Sequence, residues 1–216
     1  MHSPRQNASP DVPDDFVPGH HYDTYSTNNL LHKLLVRNFL GAAKSLICMT
    51  GCTNVLEIGC GAGELAHRLF GDAPPGDGKR PDYTGIDVSR EVIAVARERY
   101  PHRNFRVASA YALPFDRSTF DLVVACEVME HLERPQDAMR EIDRVGGSHI
   151  LLSVPWEPIW RTLNLASGRY VTRFGNTPGH VQNFTRAAIR GLVASRFTIL
   201  AERRPFPWTM ILAQRS

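Results

Sequence analysis

Apolar positions along this chain follow two alternating rhythms. The runs Val55 to Ile58, Tyr83 to Val88, Phe120 to Cys126 and His149 to Pro155 are short and nearly unbroken, as strands buried on both faces are. Phe105 to Val107 reads as a shorter strand, and Phe197 to Leu200 and Thr209 to Ala213 as a closing pair. Between them the period changes. From Asn28 to Met49, Leu31, Leu35, Phe39, Ala42 and Leu46 recur at helical spacing and predict an amphipathic helix laid on a sheet. Ser89 is placed to cap a helix running to about Tyr100, and Thr185 to cap one running to about Ser195. A further helix is expected from Gln136 to Val145, ended by Gly146-Gly147. This order predicts an α/β fold: a doubly wound, mostly parallel seven-stranded sheet with helices on both faces, binding its ligand at the carboxyl ends of the strands.

Composition narrows the classes. At 216 residues with 43% hydrophobic content, the chain fits one domain with a sizeable core. Its division is read as a flexible, proline-rich arm over 1–19 and a single domain over 20–216, with an acceptor-site insert at about 156–184 and a surface loop from Gly71 to Pro81. A net charge of +3 with mixed signs does not call for nucleic acid, so a small-molecule or oligosaccharide acceptor is the expected partner. Cys48, Cys52, Cys60 and Cys126 form no C-x-x-C pair, which suits a reduced, cytoplasmic protein. No apolar run approaches the roughly 20 residues that span a bilayer, so no membrane role is expected.

The chemistry begins where Val55-Leu56-Glu57-Ile58 runs into Gly59-Cys60-Gly61-Ala62-Gly63-Glu64. A strand entering a glycine-rich turn that opens a helix lets backbone N–H groups approach a nucleotide-like cofactor. A dinucleotide fingerprint would need glycine where Glu64 stands, which disfavours nicotinamide and flavin cofactors. The spacing resembles the E-x-G-x-G-x-G signature of class I S-adenosylmethionine-dependent methyltransferases, whose fold is Rossmann-like. Three later segments extend the resemblance: Tyr83 to Ser89, Ala110 to Phe115, and Phe120 to Leu132. It implies cofactor contacts from Glu57, Gly59, Cys60, Gly61, Gly63, Asp87, Val88, Ser109, Ala110, Tyr111 and Cys126, with Asp87 on the ribose hydroxyls. At Ser109 the family often has an aspartate that holds the adenine amino group; here the group is a neutral hydroxyl.

Beyond the cofactor stand Glu127, Glu130 and His131. On a helix starting just past Cys126 they would occupy i, i+3 and i+4 and share one face. Two carboxylates and an imidazole suit Mg²⁺ or Mn²⁺; the alternative is a metal-free site in which His131 is a base and Glu130 a helix-start charge. The later segment Gly179 to Thr185 resembles the second-histidine segment of small-RNA 3′-terminal 2′-O-methyltransferases and of ubiquinone-biosynthesis O-methyltransferases. That resemblance implies a metal set of Glu127, Glu130, His131 and His180, with His131 and Glu130 as the catalytic pair. Both groups act on vicinal hydroxyls, which chelate one cation.

The insert contributes Trp156, Trp160 and Tyr170 as a candidate aromatic platform, with Arg161, Arg169 and Arg173 as donors. Trp160 and Leu163 read equally as core residues of an amphipathic helix. Tyr22 and Tyr25 could close over the site, and His20 and His21 beside them read as solvated. The reading is an O-methyltransferase acting on a sugar or glycoside, supported by a weaker resemblance to bacterial methylmannose polysaccharide methyltransferases. The alternatives are a catechol or phenol acceptor, an RNA 3′ terminus, and a cofactor-binding module without catalysis.

Overall fold

A computed structural model describes residues 30–71, 80–166, 177 and 179–215. The expectations for the arm over 1–19, for Tyr22 and Tyr25, for the centre of the 71–81 loop, and for Arg169, Tyr170 and Arg173 lie outside the described residues.

Seven strands form one sheet: β1 (Asn54–Ile58), β2 (Asp82–Asp87), β3 (Asn104–Val107), β4 (Phe120–Cys126), β5 (Gly146–Pro155), β6 (Phe197–Arg203) and β7 (Trp208–Arg215). They lie in the order β3-β2-β1-β4-β5-β7-β6. The first five are parallel; β7 runs antiparallel between β5 and β6. The predicted mostly parallel doubly wound sheet is therefore the observed one. The chain leaves β1 toward β2 and β3 and returns beyond β1 to form β4. The crevice between the carboxyl ends of β1 and β4 is the topological switch point at which such sheets bind ligands.

The helices cover both faces. On one side α1 (Leu30–Ile47), α2 (Glu64–Phe70) and α3 (Arg90–Arg99) bury Phe39, Leu46, Leu65 and Ile93 against Val55, Leu122 and Leu212. On the other, α4 (Pro135–Val145) and α6 (Arg186–Ala194) bury Met139, Ile142 and Ile189 against Leu56, Val123 and Ile150. α5 (Ile159–Ala166) follows β5. Ser89 caps α3 by accepting from Val92 N at 3.2 Å, and Thr185 caps α6 by accepting from Ala188 N at 3.2 Å, as predicted.

One local expectation is corrected. The buried stripe of α1 is Val36, Phe39, Ala43 and Leu46, and Leu31 is 65% exposed. Helical periodicity alone cannot say how far along a helix the sheet reaches, and here the first turns carry Leu30, Leu31 and Leu34 off the core. As expected, Gly146 ends α4. It is extended at φ −77° and ψ 132° and already belongs to β5, so helix passes into strand without a loop.

Candidate active site

The glycine turn sits at the carboxyl end of β1. Cys60 N donates to Ile86 O at 2.9 Å and Gly63 N to Cys60 O at 3.0 Å, which ties the turn to β2 and closes it onto the start of α2. Asp87, at the end of β2, accepts from Gly61 N at 3.2 Å and from Ser89 N at 3.0 Å. Gly59 backs onto Val128. Gly61 differs from the other two turn glycines. Its φ is +53°, and a Cβ built there would meet nothing within 4 Å. The turn thus presents open space above Gly61, rimmed by the Asp87 carboxylate, which fits a cofactor bearing a ribose and a compact polar chain.

The remaining cofactor candidates surround this cradle at varied depth. Glu57 is buried and accepts from the Tyr83 hydroxyl at 2.7 Å. Burial pushes its carboxyl up to about 8 against the opposing effect of that hydrogen bond and of Arg103. Val88 and Ser109 are half-buried, whereas Ala110 and Cys126 are buried. The Ser109 hydroxyl accepts from Tyr111 N at 3.2 Å, which engages one of its two acceptor sites in its own turn. Tyr111 is held from α4's side, its hydroxyl accepting from Arg134 N at 3.3 Å while the Arg134 guanidinium lies 5.0 Å from its ring centroid. Cys60 and Cys126 are free thiols that burial holds above their ordinary range.

Beyond β4 the expected helix face does not form. Glu127 has φ +59°, a left-handed conformation that stops any helix at that residue. Only a single 3-10 turn follows, over Met129–His131. The kink turns Glu127 toward β5 and β7. Its carboxylate accepts from the Ser153 hydroxyl at 2.9 Å and from the Trp208 indole at 2.7 Å. Burial lifts it to about 7 despite those two bonds. Glu127 therefore does not join the predicted four-residue cluster.

The other three members do converge. One ligand atom each from Glu130, His131 and His180 lies within 4.8 Å of the others. The two rings meet edge to face with centroids 4.9 Å apart. Gly179 O accepts from His131 Nδ1 at 2.9 Å, taking that nitrogen as the protonated one, so the lone pair sits on Nε2. Val181 N and Gln182 N donate to Glu130 O at 2.9 and 3.0 Å, which binds the His180 segment to the 3-10 turn. Burial and the neighbouring Glu127 charge push the Glu130 carboxyl well above the carboxylate range. Burial depresses His131, and burial with His131 beside it brings His180 to about 4. Near neutral pH both imidazoles are thus uncharged. Glu130 is 2% exposed, and neither of its carboxylate oxygens has a hydrogen-bond partner among the described residues. Burying a carboxyl group in this way is costly unless something binds it.

Of the aromatic platform expected in the insert, only Trp156 and Trp160 are among the described residues, and each is engaged elsewhere. Trp160 packs 6.0 Å from Trp208 and donates its indole N–H to Thr177 Oγ1 at 2.9 Å, a core role, while Leu163 is 40% exposed. Trp156 stacks under the Arg186 guanidinium at 3.5 Å. Arg161 lies in the first turn of α5 and its backbone N–H donates to Glu157 Oε2 at 3.4 Å. Sequence reasoning missed Tyr83, Ser153 and Trp208, the partners of the buried Glu57 and the half-buried Glu127. Nothing in their local pattern distinguishes them from ordinary strand residues.

Residues 56–151 match the family model described as a methyltransferase domain. The chain is 32% identical over 97 residues to an uncharacterised methyltransferase of Schizosaccharomyces pombe, covering 42% of this chain and 35% of that one. It is 29% identical over 127 residues to a ubiquinone biosynthesis O-methyltransferase of Roseobacter denitrificans, covering 56% and 48%. The chain spans about a third to a half of the length of the curated relatives it matches. Among solved structures, magnesium protoporphyrin IX methyltransferase of Synechocystis PCC 6803 with bound SAH superposes at a TM-score of 0.65 and 17% identity, over 88% of this chain and 89% of that one. No described helix is long and apolar enough to cross a membrane. The architecture of this chain is the class I S-adenosylmethionine-dependent methyltransferase fold, and the methyltransferase-domain match falls on the half that carries the glycine turn.

Proposed function

We propose that the chain is an S-adenosylmethionine-dependent O-methyltransferase that uses a divalent cation to receive an acceptor hydroxyl flanked by a second oxygen. The observation that carries the metal half is Glu130, whose two buried oxygens lack partners among the described residues and converge with two neutral imidazoles. Glu130, His131 and His180 would hold the ion. It would supply charge to orient the acceptor oxygen and lower its pKa. Two nitrogens and one carboxylate make a set poorer in oxygen than the four residues expected from sequence. The balance therefore moves from Mg²⁺ toward Mn²⁺.

The protein's own groups do the rest. The open space at Gly61 and the Asp87 carboxylate receive the cofactor at the end of β1 and β2. The imidazole His131 has one free nitrogen, because Nδ1 is spent on Gly179 O. It serves as ligand or as general base, not both. A sugar or glycoside stands first among acceptors on the vicinal-hydroxyl argument, and a catechol or phenol second. Trp160 no longer supports the sugar, since it belongs to the core.

The test is S-adenosylhomocysteine release over sugars, glycosides, catechols and short RNAs, each with Mn²⁺, with Mg²⁺ and with EDTA. Turnover that needs the ion, and that Glu130→Gln abolishes without loss of cofactor affinity, is the expected result. Full turnover in EDTA would remove the metal and leave His131 as base. Cofactor binding without release on any acceptor would favour a non-catalytic module.

A further inference from the structure

At the other end of the sheet, beneath the first residues of β2 and β3, lies a cavity of about 230 Å³. Recognised ligand pockets start at about 300 Å³, so this one suits a compact group. Phe70, Tyr83 and Thr84 form its walls, and Arg80, His102 and Arg103 bring cationic or protonatable nitrogen to it. Asp82, the acidic residue of the lining, is exposed, as are Arg80 and His102, while Arg103 is half-buried. Arg103 donates to Gly71 O and lies 5.1 Å from the Tyr83 ring centroid, yet its Nε is buried with no hydrogen-bond partner among the described residues. Two guanidinium groups at the mouth of a small, largely apolar recess provide the forked donors that phosphate oxygens match.

The cavity connects to the cofactor turn through one side chain. Tyr83 lines the recess with its ring and passes its hydroxyl beneath Gly85 to Glu57 at 2.7 Å. The passage exists because residue 85 has no Cβ: one built there would stand 2.6 Å from the Tyr83 oxygen and 2.9 Å from Cys60. Arg103, above the same ring, is the cation whose field favours the ionised form of Glu57. S-adenosylmethionine carries an ammonium, a sulfonium and a carboxylate, net +1, so its binding above the turn favours loss of the proton that Glu57 otherwise holds near neutral pH. An anion seated at Arg103 offsets that cation and lets Glu57 keep its proton.

We propose that this cavity is a regulatory site for a small phosphate-class anion, and that its occupation weakens cofactor binding through Tyr83 and Glu57. The coupling rests on the cofactor reading given above; the anion site itself does not. The probe is inorganic phosphate. Its ³¹P line broadening by the metal-free protein reports occupation, and calorimetric titration with S-adenosylmethionine in phosphate or in chloride at matched ionic strength reports coupling. We expect broadening and about a fivefold loss of cofactor affinity in phosphate, the low end of ordinary coupling between sites. The double variant Arg80→Gln, His102→Gln should lose both effects, and its side chains hold no structural bond among the described residues. Glu57→Gln should keep the broadening and lose the affinity response. Equal broadening by native protein and double variant overturns the site. Broadening with identical cofactor affinity in the two salts overturns the coupling. If the cofactor fails to bind in chloride, the cofactor reading falls, and the comparison of broadening still decides the anion site.

Discussion

Replacing Gly61 and Gly63 separately by alanine should break cofactor binding and folding in opposite measure, although the two glycines are two residues apart in one turn. Both are left-handed, at φ +53° and +84°, and that conformation costs an L-residue about 1–2 kcal/mol. At Gly61 this is the whole structural cost, because a Cβ there meets nothing within 4 Å. At about 2–4 °C per kcal/mol for a domain of this size, Gly61→Ala should melt about 2–8 °C lower. At Gly63 the new methyl would stand 2.9 Å from Phe105 Cζ and 2.9 Å from Tyr100 Cδ2. Overpacking of that kind adds about 1–3 kcal/mol, bringing the cost of Gly63→Ala to about 2–5 kcal/mol. The ligand sees the reverse. A methyl at 61 fills the cradle, and the same overpacking range charged to the complex predicts roughly 5- to 150-fold weaker binding. Gly63 faces the core, so its variant should bind at near-native affinity wherever it is folded. Urea denaturation and calorimetric titration with S-adenosylhomocysteine measure the two quantities. Native affinity in Gly61→Ala, or a greater loss of affinity in Gly63→Ala than in Gly61→Ala, would refute the placement of the cofactor over Gly61.

Ser153→Ala should cost about 1–3 kcal/mol in urea denaturation, because it leaves Oε1 of the half-buried Glu127 without its 2.9 Å donor. The same change should raise the Glu127 carboxyl above about 7, since that bond is among those that hold it down; unchanged stability would count against the clamp. Glu57 is raised from 4.5 to about 8 in the folded state. The folded chain therefore holds a proton that the unfolded chain releases, and stability from this group is fullest below pH 4.5 and falls as pH rises to about 8. Glu127 and Glu130 slope the same way. Glu57→Gln should flatten, not abolish, the decline in cofactor-free stability between about pH 5 and 8. A pH profile parallel to that of the native protein would contradict the burial of a protonated Glu57.

The sequence alone determined the parts that local chemistry dictates. Unbroken apolar runs can only be strands covered on both sides, so β1, β2, β4 and β5 were legible, and with them the doubly wound sheet. The glycines of the turn were legible because only glycine takes that backbone and leaves space above it. Ser89 and Thr185 were legible as caps because a hydroxyl before a periodic stretch satisfies N–H groups that nothing else can reach. Glu130 and His131 could be named as candidates from the acids and imidazole that follow β4, whereas His180 was named only through the family resemblance of its segment.

Tertiary structure decided everything that depends on what lies across the sheet. The left-handed bend at Glu127 pays off only because Ser153 on β5 and Trp208 on β7, 26 and 81 residues further along, receive its carboxylate. Helical spacing put that glutamate beside Glu130 on a face that never forms. Trp160 lies near Trp208 for the same reason: the antiparallel return of β7 beside β5 brings an aromatic surface that no spacing within the insert could announce. Periodicity reports which side of an element is apolar. Which group meets a buried charge is set by strand order and register, and those exist only once the sheet has closed.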